Sequence, residues 1–145
     1  MIRTALIVVV TGLAGVAFAQ DAADKPAHPM FRWPLVGKAE KAKSGGLDIP
    51  AREGEAVHAA ADGSVIYASD ELATFGKMVV IRHADDYVTA YAYLSELAVG
   101  QGVSVKRGQI IGKSGQSGDA KKPELHFELR KGTANVDPIG YMTPR

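Results

Sequence analysis

Glu124-Leu125-His126-Phe127-Glu128-Leu129-Arg130 carries the side chains of this sequence best suited to chemistry. Apolar Leu125, Phe127 and Leu129 alternate with polar Glu124, His126 and Glu128, the period of two that a half-buried β-strand requires. One face packs into a core, and the other presents Glu124 and His126 side by side, about 7 Å apart along the strand. A carboxylate and an imidazole so placed can flank a metal or a bound ligand. The plainer role of a single His on a strand is an ordinary surface residue.

The rest of the chain supplies further short strands to hold that face in place. Leu47-Asp48-Ile49-Pro50 reads as one, after a Lys-, Ala- and Gly-rich loop over 37–46. Residues 56–60 and 64–68 read as two more, and Asp62-Gly63 between them predicts a tight hairpin. Residues 77–83 and 87–94 predict a second hairpin across Ala84-Asp85-Asp86. In the latter strand Val88, Ala90, Ala92 and Leu94 share one face, while Tyr87, Thr89, Tyr91 and Tyr93 share the other. The tyrosine side is the expected lining of a surface groove, although tyrosine also covers open sheets by β propensity alone. Lys106-Arg107-Gly108 marks another turn, and residues 94–98 are the one place where a helical turn is expected. Many short strands punctuated by Gly turns imply an all-β, mainly antiparallel domain, a sandwich or partly open barrel.

The N-terminus reads differently. Arg3, an apolar run over 5–16 and Ala17-Phe18-Ala19 match a cleavable secretory signal over residues 1–19. Residues 20–30, small, charged or Pro, predict a flexible leader, and the folded domain is expected over 31–145. Removing residues 1–19 leaves roughly 125 residues, enough for one domain with a real core. No cysteine is present, which excludes a disulfide framework and an acylated lipobox, so no mature membrane anchor is expected. Seventeen Lys and Arg face sixteen Asp and Glu, and residues 1–19 hold one of the basic residues and none of the acidic, so the remainder is formally neutral. Such a balance argues against nucleic acid as a partner. Lys38, Lys41 and Lys43 form only a local cluster, read as a solvated loop.

Seven blocks in order resemble the LytM-type, or M23, family of zinc peptidoglycan endopeptidases. They are Phe31-Arg32-Trp33-Pro34, Gly46-Leu47-Asp48-Ile49, Ala59-Ala60-Ala61-Asp62-Gly63-Ser64-Val65, Val80-Ile81-Arg82-His83, Thr89-Ala90-Tyr91-Ala92-Tyr93-Leu94, Val105-Lys106-Arg107-Gly108-Gln109-Ile110-Ile111-Gly112 and Leu125-His126-Phe127-Glu128. In active members the resemblance implies an H-x-x-x-D pair and the second His of an H-x-H strand as zinc ligands. Two further His residues serve the water and the tetrahedral intermediate. Those ligand positions fall here on Ser44, Asp48 and His126, and the other two on Glu124 and Tyr93, so three of the five have changed.

Catalytic zinc generally takes three protein ligands and an open position for water. Ser44 offers neither the charge nor the basicity of imidazole. The expectation is therefore a protein that is not an enzyme, binds no cofactor, and has Asp48 and His126 as residual ligand positions that hydrogen-bond to each other. A weak or altered zinc endopeptidase using Asp48, Glu124 and His126, and a peptidoglycan-binding module, are the alternatives. The resemblance further implies a regulator of cell-wall hydrolysis that activates an N-acetylmuramoyl-L-alanine amidase in the Gram-negative periplasm. Its emptied groove would hold a helix of the partner. Ser44, Asp48, Tyr91, Tyr93, Glu124 and His126 are the expected surface, with the Lys38, Lys41 and Lys43 loop as a rim. His83 has a structural reading, and neither His28 nor His58 matches an active-site position.

Overall fold

A computed structural model describes residues 31–145. The expected signal segment and leader lie outside the described residues. Eleven short strands are present: β1 (Glu40–Lys41), β2 (Leu47–Pro50), β3 (Ala56–His58), β4 (Gly63–Ser69), β5 (Lys77–Arg82), β6 (Tyr87–Leu94), β7 (Glu96–Leu97), β8 (Ser104–Val105), β9 (Ile110–Lys113), β10 (Glu124–Lys131) and β11 (Ala134–Val136). Eight of them form one antiparallel sheet in the order β1-β2-β10-β6-β5-β4-β8, with β11 pairing the far end of β10. A second sheet of three, β3-β9-β7, packs with it. The described residues form an all-β antiparallel fold, as the period-two patterns require.

The core follows from the alternation. Leu125, Phe127 and Leu129 of β10, Leu47 and Ile49 of β2 and Ile81 of β5 are all fully or almost fully buried, together with Val57 and Ile111 from the smaller sheet. Phe31 closes one end, bridging to Met142 and packing edge-on against Tyr87.

Three local expectations are corrected. Asp62-Gly63 does not close a hairpin, because β3 pairs with β9 in the small sheet while β4 pairs with β5 and β8 in the large one. The turn grammar there is local, and the partner strand is some fifty residues away. Residues 94–98 run from the end of β6 into strand β7 (Glu96–Leu97) rather than a helical turn, since the Ser95 and Ala98 amides pair with carbonyls of Lys113 and Ile111. The third correction concerns β6. Tyr87, Thr89 and Tyr91 face the core, and Val88 and Ala90 face outward, the reverse of the expected arrangement.

Tyr91 is tolerated there because its hydroxyl is satisfied inside the protein. The Ala60 N–H donates to the Tyr91 hydroxyl at 2.9 Å, and this hydroxyl lies 2.7 Å from Thr89 Oγ1. His83 Nε2 lies 2.7 Å from the same Thr89 oxygen, while its Nδ1 donates to the Asp62 carbonyl. Since that carbonyl can only accept, the neutral ring carries its proton on Nδ1, and Nε2 accepts from Thr89. The direction of the chain is then set: Ala60 to Tyr91 to Thr89 to His83 to Asp62. Burial pushes the Tyr91 phenol up to about 12 and lowers His83 from its ordinary value, so both stay neutral.

Candidate functional site: a groove that ends at an ion-paired histidine

The outer face of β10 is formed by Glu124, His126 and Glu128, and all three are nearly covered, at 9%, 2% and 4% exposure. His126 lies opposite Asp48 of β2 and Ala92 of β6 in the two ladders. Its Nδ1 is 2.8 Å from Asp48 Oδ1, and its Nε2 is 2.7 Å from Glu128 Oε2. A carboxylate can only accept, so both ring nitrogens donate and the ring is an imidazolium held between two anions. Burial alone would lower His126. The hydrogen bonds to Glu128 and Asp48, and their charges, outweigh that effect and raise it. For Glu128, burial pushes the carboxyl up, but the bonds to His126 and Arg130 prevail and hold it below the usual carboxylate range. Arg130 completes the row, donating from Nη2 to Glu128 Oε1 at 2.8 Å.

Two aromatic rings cover the imidazolium. Phe75, in the loop between β4 and β5, stacks on it at a centroid distance of 6.1 Å, and Tyr93 tilts against it at 5.5 Å. Tyr93 reaches this position because it adopts φ +68°, which breaks the alternation of β6, and because its amide donates to the Phe75 carbonyl at 2.9 Å. That break puts Tyr93 beside His126 while Leu94 returns to the core at 0% exposure. Burial first, then the charges of Asp48 and Glu124, push the Tyr93 phenol up. Glu124 is raised for similar reasons, burial and then the Asp48 carboxylate, with Lys122 opposing.

From His126 a groove of about 280 Å³ runs over the outer face of the large sheet. Leu72, Phe75, Met78, Val80, Val88 and Ala90 line it, with Glu128 and Arg130 along one side. Of the six residues expected at the site, Asp48, Tyr93, Glu124 and His126 come together at this end. Ser44 is exposed in the turn between β1 and β2. Neither Ser44 nor Tyr91 joins them, Tyr91 being fully buried behind the sheet as described above. Glu128, Phe75 and Arg130 were not anticipated. The signal for Glu128 was present, because a residue two along a strand from His126 must share its face.

Two antiparallel sheets thus carry an outer groove that ends at an Asp–His pair. Residues 42–138 match the model for peptidase family M23, and the chain belongs to that family. It is 37% identical over 121 residues to the murein hydrolase activator NlpD of Escherichia coli, covering 79% of this chain and 32% of that protein. It is 41% identical over 108 residues to the cell division protein DipM of Caulobacter vibrioides, covering 69% of this chain and 18% of that one. A zinc-containing peptidase from Vibrio cholerae superposes with a TM-score of 0.69 at 27% identity, over 83% of this chain and 41% of that structure. The chain thus spans less than half the length of each of these relatives.

Family membership raises the question of zinc, and the residues present do not fit it. A metal-bound imidazole must offer a lone pair, whereas both His126 nitrogens are committed as donors to carboxylates. Among the described residues, no group of three His, Cys, Asp or Glu side chains is arranged to hold a metal ion.

Proposed function

We propose that this chain is a non-catalytic regulator of murein hydrolysis, which binds and activates a peptidoglycan amidase through the groove ending at His126. The observation that carries this reading is the imidazolium held between Asp48 and Glu128. The ring that would ligate a metal instead ties two strands together, and neither Glu124 nor Tyr93 is an imidazole able to shuttle a proton near neutral pH. The groove beside it is apolar along its floor and charged at the His126 end and along the Glu128–Arg130 side, a fit for the apolar face of an amphipathic helix. Asp48 and Glu124 at one end favour a basic side chain of the partner, and Arg130 on the other side favours an acidic one. Similarity to a murein hydrolase activator and to a cell division protein supports the same role, and supports a setting in the cell envelope.

Dye release from labelled sacculi tests it. The full chain alone should release nothing, with or without chelator, and should stimulate an amidase from the same cell that is slow by itself. Chelator-sensitive release by this chain alone would favour the altered endopeptidase and sink the proposal.

A further inference from the structure

A second concave site shares no residue with the groove. Residues 31–33 are pinned on both sides: the Phe31 amide donates to the Tyr141 carbonyl, the Arg32 amide to the Ala60 carbonyl at 2.8 Å, and the Trp33 indole N–H to the Thr143 carbonyl at 2.8 Å. Arg32 and Trp33 are therefore presented on fixed backbone. With His58 and Arg145 they line a cavity of about 530 Å³, within the range of small-ligand sites.

The polar groups in this cavity form an unusual set. The Arg145 guanidinium lies 3.7 Å over the Trp33 ring and donates to the Gly37 carbonyl. Arg32 rests its guanidinium against Gly108, which at φ +85° and without a Cβ leaves the room it needs. Among the described residues, neither arginine forms an ion pair. His58 donates from Nδ1 to the Gly108 carbonyl at 2.9 Å, which fixes the ring. Glu55 is the one acidic side chain in the lining, and its Oε2 already accepts from the Arg52 amide. Two unpaired guanidinium forks beside an indole face form a donor set for a carboxylate attached to an apolar body.

We propose that this cavity is a second ligand site, taking the carboxylate end of a peptidoglycan stem peptide and so tethering the protein to the polymer whose hydrolysis it regulates. The carboxylate chemistry stands on Arg32, Arg145 and Trp33; assigning it to a wall peptide rests on the function proposed above. Concavity favours such a ligand over a lipid surface, which would require a convex apolar tip. Binding there and at the groove would be simultaneous, raising the effective concentration of the partner at the wall without new contacts between the two sites.

Trp33 is the only tryptophan in the chain, so its fluorescence reports this cavity directly. The full chain is titrated with purified disaccharide tetrapeptide, and in parallel with inorganic phosphate and with vesicles containing phosphatidylglycerol. The expected result is a saturable change with the muropeptide, weakened by salt and by about tenfold or more in Arg32→Gln and in Arg145→Gln. A Leu72→Asp variant, altered only in the groove, should titrate like the parent. No response to muropeptide, an undiminished response in both arginine variants, or a response to phosphate or vesicles alone would overturn the proposal. Amidase stimulation is read separately. If it persists without a Trp33 response, the second site alone fails; if the response persists without stimulation, the regulator reading alone fails.

Discussion

His126 and Glu128 lie two residues apart on one strand face, and the ring's Nε2 meets the carboxylate at 2.7 Å, with both side chains almost completely buried. This pairing fixes the charge state of the histidine, because Asp48 already takes its other N–H. An ionic row runs from Asp48 through His126 and Glu128 to Arg130. The groove therefore has a charged end.

Breaking that row should be costly. Glu128→Gln leaves the imidazolium with one anion and Arg130 with none, and should destabilise the protein by about 2–4 kcal/mol at neutral pH. Urea unfolding of the variant and the parent measures this. A difference within experimental error would mean that Glu128 contributes nothing to the fold.

The same pair sets a pH window. His126 is raised above 6.5 in the folded protein, so its contribution is complete below 6.5 and is lost as pH rises through the raised value. Glu128 is held below 4.5, so its contribution is present above 4.5 and is lost as pH falls through the depressed value. The stability gap between the parent and Glu128→Gln should thus be widest between pH 4.5 and 6.5 and narrow on both sides. Urea midpoints taken from well below that range to well above it test it, and a gap that stays flat throughout would contradict the charged pair.

Tyr91 should behave as a core residue. Tyr91→Phe removes the acceptor of the Ala60 amide and one partner of Thr89, for a loss of about 1–3 kcal/mol. Amidase stimulation by the folded variant should be unchanged. A selective loss of stimulation would return Tyr91 to the binding surface.

Leu72, 47% exposed on the groove wall, should behave in the opposite way. Leu72→Asp should change stability by no more than about 0.5 kcal/mol, as is usual for surface sites. Stimulation of the amidase should nevertheless fall by about tenfold or more, since a charge is placed against the partner's apolar face. Equal stimulation at equal concentration would remove the groove from the account.

Much of the fold could be read from local pattern. The β6 and β10 strands follow from alternation and β5 from its apolar run, whereas Asp48 beside His126 is what the family resemblance implies. Pattern failed where the deciding partner was distant. Alternation divides β6 into two faces but cannot say which is inside, and Tyr91 is inward because the Ala60 amide, thirty-one residues earlier, satisfies its hydroxyl. The β3 partner, β9, outcompeted a strong hairpin turn for the same reason. Phe75 was not legible because only the folding of the β4–β5 loop over the sheet brings it to His126. Tyr93 reached the site for a reason no pattern shows, a positive φ that interrupts its strand.

The most direct test of the central claim is the protonation state of the His126 ring, read from long-range ¹H–¹⁵N NMR spectra at pH 6, before and after adding one equivalent of zinc. Both ring nitrogens should show the shifts of a protonated imidazolium, unchanged by the metal. One nitrogen with an unprotonated shift that moves when zinc is added would show a competent ligand, and would contradict the conversion of this metal site into an ion-paired wall.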